Sequence, residues 1–315
     1  MRAQRIGFCL IEGYAMMSTA AAMEPLRAAN LFSDAPLYEI VPLSVAGGAV
    51  ASSLPGAMDT VPISKAGDDF DVVFVVAGGD PFRVQDQALF TWLRHLDRKG
   101  VALGGISGGS AILANAGLME NRRFTIHWHH LEDLRARFDR GWLEHRLYVI
   151  DRDRYTCAGG TAPLDMMYAM ISAQHGVSFA RKISDWFIQT EIRIADAPQQ
   201  ASVAARYGSP PRAVAEALEL MESHIADPLN LDQIAALVGL SARQLQRQFS
   251  KALDLSVMHV YRDIRLETAR ELLRSSHIPL GEIANMTGFG AQAAFSSAYR
   301  QRYGQSPREG RSATT

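Results

Sequence analysis

The chain has 315 residues, 48% of them apolar and 21% charged, with a formal net charge of −1. At roughly 150 residues per domain this length predicts two domains with real cores, and the balance excludes a disordered chain or a fibrous repeat. No run of about 18 apolar residues occurs, which excludes a spanning helix; the two cysteines, Cys9 and Cys157, give neither a disulfide framework nor metal-ligand spacing.

At the N-terminus two arginines precede an apolar stretch that Glu12 interrupts, with no small-residue cleavage site after it. This reads as a first strand over residues 5–11, not a signal peptide, and places the chain in the cytoplasm. Further strands are predicted over 38–44, 72–76 and 101–106, alternating with helices over 18–30, 86–99 and 110–116. The run VVFVVAGG is apolar on both faces, as in a buried parallel sheet covered by helices on each side. Residues 146–150 and 155–158, around Asp151-Arg152-Asp153-Arg154, read as a hairpin, and helices over 162–175 and 177–188 close the domain.

Gly105-Ile106-Ser107-Gly108-Gly109 fits G-x-S-x-G between a strand and a helix, the placement of a nucleophile elbow. A serine hydrolase needs a histidine base and an acid; His127, His129 and His130, with Asp151 or Asp165, supply the residue types.

From residue 194 to 211 three prolines interrupt any sustained period, which reads as a linker between a first domain at 1–193 and a helical domain at 212–315. Charge divides similarly. From Gly239 onward there are 11 Lys and Arg against 6 Asp and Glu, net +5, and the preceding residues are net −6. Such asymmetry suits a protein of which one part meets phosphate.

The helical domain repeats itself. Ile234, Ala235, Gly239 and Leu240 recur 49 residues on as Ile283, Ala284, Gly288 and Phe289; Leu245, Phe249 and Ser256 recur 50 on as Phe295, Tyr299 and Ser306. Each copy is a short apolar helix, a turn with glycine and a second helix, the pattern of a helix-turn-helix. The polar face of the first copy carries Arg243, Gln244, Gln246, Arg247 and Lys251. Arg suits guanine edges, Gln suits adenine edges, and Lys251 suits a phosphate. The connector over 256–275 has no Gly or Pro; as a helix it spans roughly 30 Å, close to the ~34 Å between major grooves on one DNA face.

Residues from about 212 to 310 resemble the tandem helix-turn-helix domain of the AraC/XylS regulators. The pattern is I-A…G-L-S…L-x-R-x-F, then R-L-x-x-A-R-x-L-L, I-A…G-F, Y-R-x-x-Y-G and S-P-R. The resemblance implies base-reading positions at Arg243, Gln246 and Arg247 in the first copy and Gln292, Ala293 and Ser297 in the second, with Arg300 near the backbone. Because Ala293 and Ala294 cannot hydrogen-bond a base, the first copy is expected to carry most of the specificity.

Residues 5–190 resemble the class I glutamine-amidotransferase-like (PfpI-like) domain, a flavodoxin-like α/β sandwich. The resemblance runs through Ala77-Gly78-Gly79-Asp80, the Ser107 elbow, Thr125-Ile126-His127-Trp128 and Cys157-Ala158-Gly159-Gly160-Thr161. Enzymes of that superfamily carry cysteine where this chain has Ser107, which implies a retired active site kept as a pocket. Together the halves resemble the GlxA-type branch of the AraC regulators. That implies a homodimer on double-stranded DNA that responds to a small effector such as a betaine, carnitine or an amino acid and activates genes for its metabolism or uptake, with no cofactor, metal or membrane.

The expected effector crevice lies at the strand ends. Ser107 and the Gly108 and Gly109 amides would hold a carboxylate, with Gly79, Asp80, Thr161 and the His127-Trp128 pair around them. Trp128, Phe82 and Tyr14 would form an aromatic wall for a quaternary ammonium head. The rival readings are a Ser107-dependent hydrolase or amidase fused to a DNA-binding domain, and a ligand-insensitive architectural DNA binder.

Overall fold

The computed structural model describes residues 2–201, 203–208, 210–275 and 278–312 and divides into two compact units, Met1–Gln199 and Gln200–Thr315. The first unit opens with β1 (Gln4–Leu10), α1 (Met16–Leu31), β2 (Tyr38–Ser44), β3 (Gly48–Ala51), β4 (Ala57–Pro62), β5 (Val72–Ala77) and α2 (Gln87–Arg98). It continues through β6 (Ala102–Ser107), α3 (Gly109–Asn115), β7 (Arg123–Phe124), α4 (Leu131–Arg137), β8 (Trp142–Leu143), β9 (Tyr148–Asp151), β10 (Arg154–Cys157), α5 (Ala162–His175) and α6 (Val177–Trp186).

The sheet order is β3-β4-β2-β1-β5-β6-β10-β9. Its five central strands, β2-β1-β5-β6-β10, are parallel, which is the flavodoxin-like order 2-1-3-4-5. β5 shows why: all six of its residues are buried, and a β-branched run apolar on both faces needs a helical layer on each side. One layer, with α2, α3 and α4, buries Leu93, Ile112 and Leu134. The opposite one, with α1, α5 and α6, buries Leu26, Met167 and Ile183. The expected α/β sandwich is therefore what forms, extended at one edge by antiparallel β9 and at the other by parallel β4 and then antiparallel β3.

The second unit contains α7 (Val203–Arg206), α8 (Arg212–Ser223), α9 (Leu231–Leu237), α10 (Ala242–Leu253), α11 (Val257–Ser275), α12 (Leu280–Met286), α13 (Gln292–Tyr303) and α14 (Pro307–Ser312). Each helix-turn-helix copy has its own core. Leu245 and Phe249 of α10 pack with Ile234 and Val260 in one; Phe295 and Tyr299 of α13 pack with Ile283 and Leu272 in the other. The two cores share α11, whose first half lies in one and second half in the other. The repeated glycines sit in the turns at φ +71° (Gly239) and +67° (Gly288), a left-handed conformation that side chains rarely adopt.

Capping separates the copies. Asn230 with Gln233, and Ser241 with Gln244, form reciprocal capping boxes on α9 and α10. Pro279 and Ala291, at the corresponding places before α12 and α13, make no side-chain cap.

The stretch expected to be linker is partly structured. Leu147 N–H donates to Ala195 O at 3.0 Å, and Gln199 donates to Thr125 Oγ1, Ile126 O and Arg146 O. Ala204, on α7, is buried in the first core of the second unit. Among the described residues no helix is long and apolar enough to cross a membrane.

Candidate functional site

Ser107 ends β6 at the carboxyl edge of the sheet, where its register partner is Ala77 of β5. Its φ is +58°; for a residue with a side chain this costs about 1–2 kcal/mol and has to be held by its surroundings. Gly159 supplies part of that hold. At φ +92° it lies so close that an added Cβ would stand 2.7 Å from Ser107 Cβ, so only glycine lets the β10–α5 turn pack against the elbow. Behind them Cys157 is fully buried. Burial pushes its thiol up to about 12, against the pull of the Gly159 and Ser107 backbone N–H groups. It is a protonated packing residue, unsuited to thiolate chemistry.

The expected crevice residues gather with unequal freedom. Gly79 has φ +57° and leads into Asp80, whose carboxylate accepts from Phe82 N at 3.0 Å and pairs with Arg83 at 3.1 Å. Phe82 is buried, its ring edge-on to His130 at 6.0 Å, and the Arg137 guanidinium lies over it at 4.6 Å. Tyr14 is wholly buried in the core, and among the described residues its hydroxyl has no hydrogen-bond partner. Of the three aromatics proposed as a wall, only half-buried Trp128 keeps partial access to solvent without a cation already over its ring; it packs on His127 at 5.4 Å. Thr161 is exposed and its Oγ1 accepts from Arg193 at 2.8 Å.

His127 Nδ1 accepts from the His129 backbone N–H at 3.2 Å. Among the described residues no histidine nitrogen is hydrogen-bonded to Ser107 Oγ. Burial, then repulsion from His129 and His127, pushes His130 down to about 4, with Asp80 opposing. His127 is lowered too, first by burial and then by His129. Unfolded, these rings take up protons near pH 6.5. The folded state then binds fewer protons between that value and about 4, so stability falls as pH drops through this window. For His130 the loss is at most about 3 kcal/mol. We expect denaturant unfolding of His130→Gln to depend less steeply on pH across this range than the parent chain does. Equal slopes would remove His130 as the cause.

In the second unit, Arg243, Arg247 and Lys251 are exposed on α10, on the face opposite buried Leu245 and Phe249. Arg243 and Arg247 line a cleft of ≈ 560 Å³ together with Ser241, Gln244, Gln246 and Ser250. Gln246 is engaged internally: Nε2 donates to Ser250 Oγ and Oε1 accepts from Val257 N, both at 3.2 Å, tying α10 to the start of α11. Gln292, Ser297 and Arg300 are exposed on α13. Gln292 lines a cleft of ≈ 440 Å³ with Pro279, Leu280, Gly281, Arg308 and Arg311.

The Asp165–Arg193 pair and the docking of Gln199 had no sequence signal beyond the residue types themselves. Their partners lie 28 and 53 to 74 residues away.

Residues 5–173 match the DJ-1/PfpI family, and residues 234–313 match a helix-turn-helix domain family. The chain is 45% identical over 305 residues to the HTH-type transcriptional regulator GlxA of Rhizobium meliloti, covering 96% of this chain and 94% of that protein. It is 38% identical over 314 residues to the HTH-type transcriptional regulator CdhR of Pseudomonas aeruginosa, covering 98% and 91%. Among solved structures, an AraC family transcriptional regulator from Pseudomonas putida superimposes with a TM-score of 0.53 at 24% identity, over 58% of this chain and 99% of that one. That last likeness concerns the fold.

Proposed function

Because the chain belongs to the GlxA-type AraC/XylS regulators, DNA-binding transcription regulators with a DJ-1/PfpI-type domain ahead of the helix-turn-helix domain, we propose that it senses a small nitrogen compound at the Ser107 crevice. Bound effector would change how a homodimer in the cytoplasm presents its DNA-binding halves, activating genes for uptake or metabolism of that compound. A betaine, carnitine or an amino acid is the expected class.

The observation that carries the DNA half is the pair of helix-turn-helix copies mounted on α11, with Arg243 and Arg247 exposed on the second helix of the first copy. α11 has 19 residues, about 28 Å of helix, close to the spacing of adjacent major grooves. The effector half is supported by the resemblance and by the place of Ser107, at the carboxyl ends of strands where open α/β sheets bind ligands.

One observation favours a second reading, a Ser107-dependent hydrolase or amidase: the left-handed backbone at Ser107 is the conformation of a nucleophile elbow. Against it stands the chemistry. A serine hydroxyl needs a base to become a nucleophile, and the His127 Nδ1 lone pair is directed to the His129 N–H.

Thermal melting of the full chain against betaines, carnitine, amino acids and polyamines separates the readings. A ligand that binds only the folded state raises the melting temperature, by about 2.7 kcal/mol of stabilisation at 100 times its Kd. The sensing reading predicts a saturable shift from one class, lost when Ser107→Trp fills the crevice. Ester or amide turnover that vanishes in Ser107→Ala, with no shift from any compound, would replace sensing by hydrolysis.

A further inference from the structure

Asp165 lies on α5 with no exposed side-chain surface, yet four donors from residues 189–193 meet its carboxylate. Gln189 Nε2 donates at 3.0 Å, Arg193 N at 2.9 Å, Arg193 Nε at 3.0 Å and Arg193 Nη2 at 2.6 Å. The same Nη2 donates to Thr161 Oγ1 at 2.8 Å. A buried carboxylate keeps its charge only when paired and hydrogen-bonded, so Asp165 fixes the plane of the guanidinium. Arg193 nevertheless stays 40% exposed, and among the described residues its Nη1 has no hydrogen-bond partner. The Nε–Nη2 edge of a rigid fork is held by Asp165, Thr161 takes the remaining Nη2 hydrogen, and Nη1 alone is open.

The guanidinium reaches the turn that packs on the elbow through Thr161. Thr161 is two Cα steps, at most about 7.6 Å, from Gly159, which packs on Ser107. Burial raises the Cys157 thiol, the Gly159 and Ser107 N–H groups oppose this, and Asp165 adds a smaller push upward.

We propose that Arg193 reads the carboxylate of the effector in the Ser107 crevice. This rests on the sensing reading above. An oriented guanidinium presents fixed N–H directions that match a carboxylate oxygen. Charge agrees with the zwitterionic class proposed above: Asp165 already neutralises Arg193, so a bare anion gains little net attraction, whereas a ligand carrying its own cation adds no net charge.

The test uses matched pairs on the full chain, with binding read by titration calorimetry. Glycine betaine is paired with choline, and arginine with agmatine; each second compound keeps the cation and lacks the carboxylate. The parent chain is expected to bind at least one carboxylate at least about 100-fold more tightly than its partner, because a site built for a hydrogen-bonding group rejects the analogue lacking it. Arg193→Gln should weaken that carboxylate about 10- to 100-fold and leave its partner unchanged, with Arg193→Lys intermediate. Arg193→Gln strands a buried carboxylate, so the double variant Arg193→Gln, Asp165→Asn serves as the folding-competent control and should show the same loss of discrimination. If the double variant discriminates like the parent, Arg193 is not the reader and sensing stands. Equal binding of both members of a pair by the parent also overturns the proposal. If the parent binds none of the four, the Arg193 proposal falls, while the sensing reading is decided separately by the wider melting panel.

Discussion

Replacing both Arg243 and Arg247 by alanine is expected to remove sequence-specific DNA binding. The two side chains are one helical turn apart, exposed on the face of α10 away from Leu245 and Phe249. A bidentate arginine–guanine contact is worth about 1–3 kcal/mol. If the two add, affinity for the operator falls by roughly 10² to 10⁴, while binding to unrelated DNA falls far less. The measurement is fluorescence anisotropy on a site selected from a random pool, alongside a scrambled duplex. Lys251→Ala should weaken both duplexes alike and lower the salt slope by about one. Gln292→Ala with Ser297→Ala should barely change sequence preference, since Ala293 and Ala294 leave that face poor in donors. Unchanged discrimination in the double-arginine variant would move base reading to α13.

Phe249→Ala should cost about 3–5 kcal/mol, the range for emptying a fully buried aromatic site. The loss should fall on one copy. Phe249 belongs to the core of α8–α10 and the first half of α11, whereas Phe295 belongs to that of α12, α13 and the second half of α11. By hydrogen exchange on the full chain, Phe249→Ala is expected to release the amides of α9 and α10 and Phe295→Ala those of α12 and α13. In the parent the second copy should exchange first, because it lacks the two capping boxes of the first, each worth about 1 kcal/mol. Simultaneous release of all four helices in either variant would mean one cooperative core instead of two.

The parts of this fold that repeat were readable from sequence. Apolar residues four apart in α10 and α13, and a glycine at the same place in each turn, recur 49 or 50 residues on. The β5 run was readable because it is apolar throughout. β3 and β4 were not: GAVA and AMDTVP are short, and most of their residues are exposed or half-buried. The Asp151–Arg154 run misleads for a different reason. Alternating charges suggest a solvated turn, yet Arg154 is 2% exposed inside β10, paired with Asp97 and Asp153. Its burial depends on Asp97, far away in the chain, and no local pattern carries that information. Site residues followed the same division. Strand-end positions such as Ser107 and Gly79 were legible from motif and topology. That Gln246 would be spent on Val257 N–H, or that Phe82 would sit beneath Arg137, depends on tertiary packing.

A DNA-binding half transplanted from another regulator has to be joined at Gln200 or later. A graft cut at residue 193 would discard Asp196, which pairs with Arg146, and Gln199, whose amide satisfies Thr125 Oγ1 and the Ile126 and Arg146 carbonyls. Such a chimera would leave polar groups of the first unit open next to His127, and its behaviour would report that damage. A graft cut just after Gln199 carries the first unit's own edge with it.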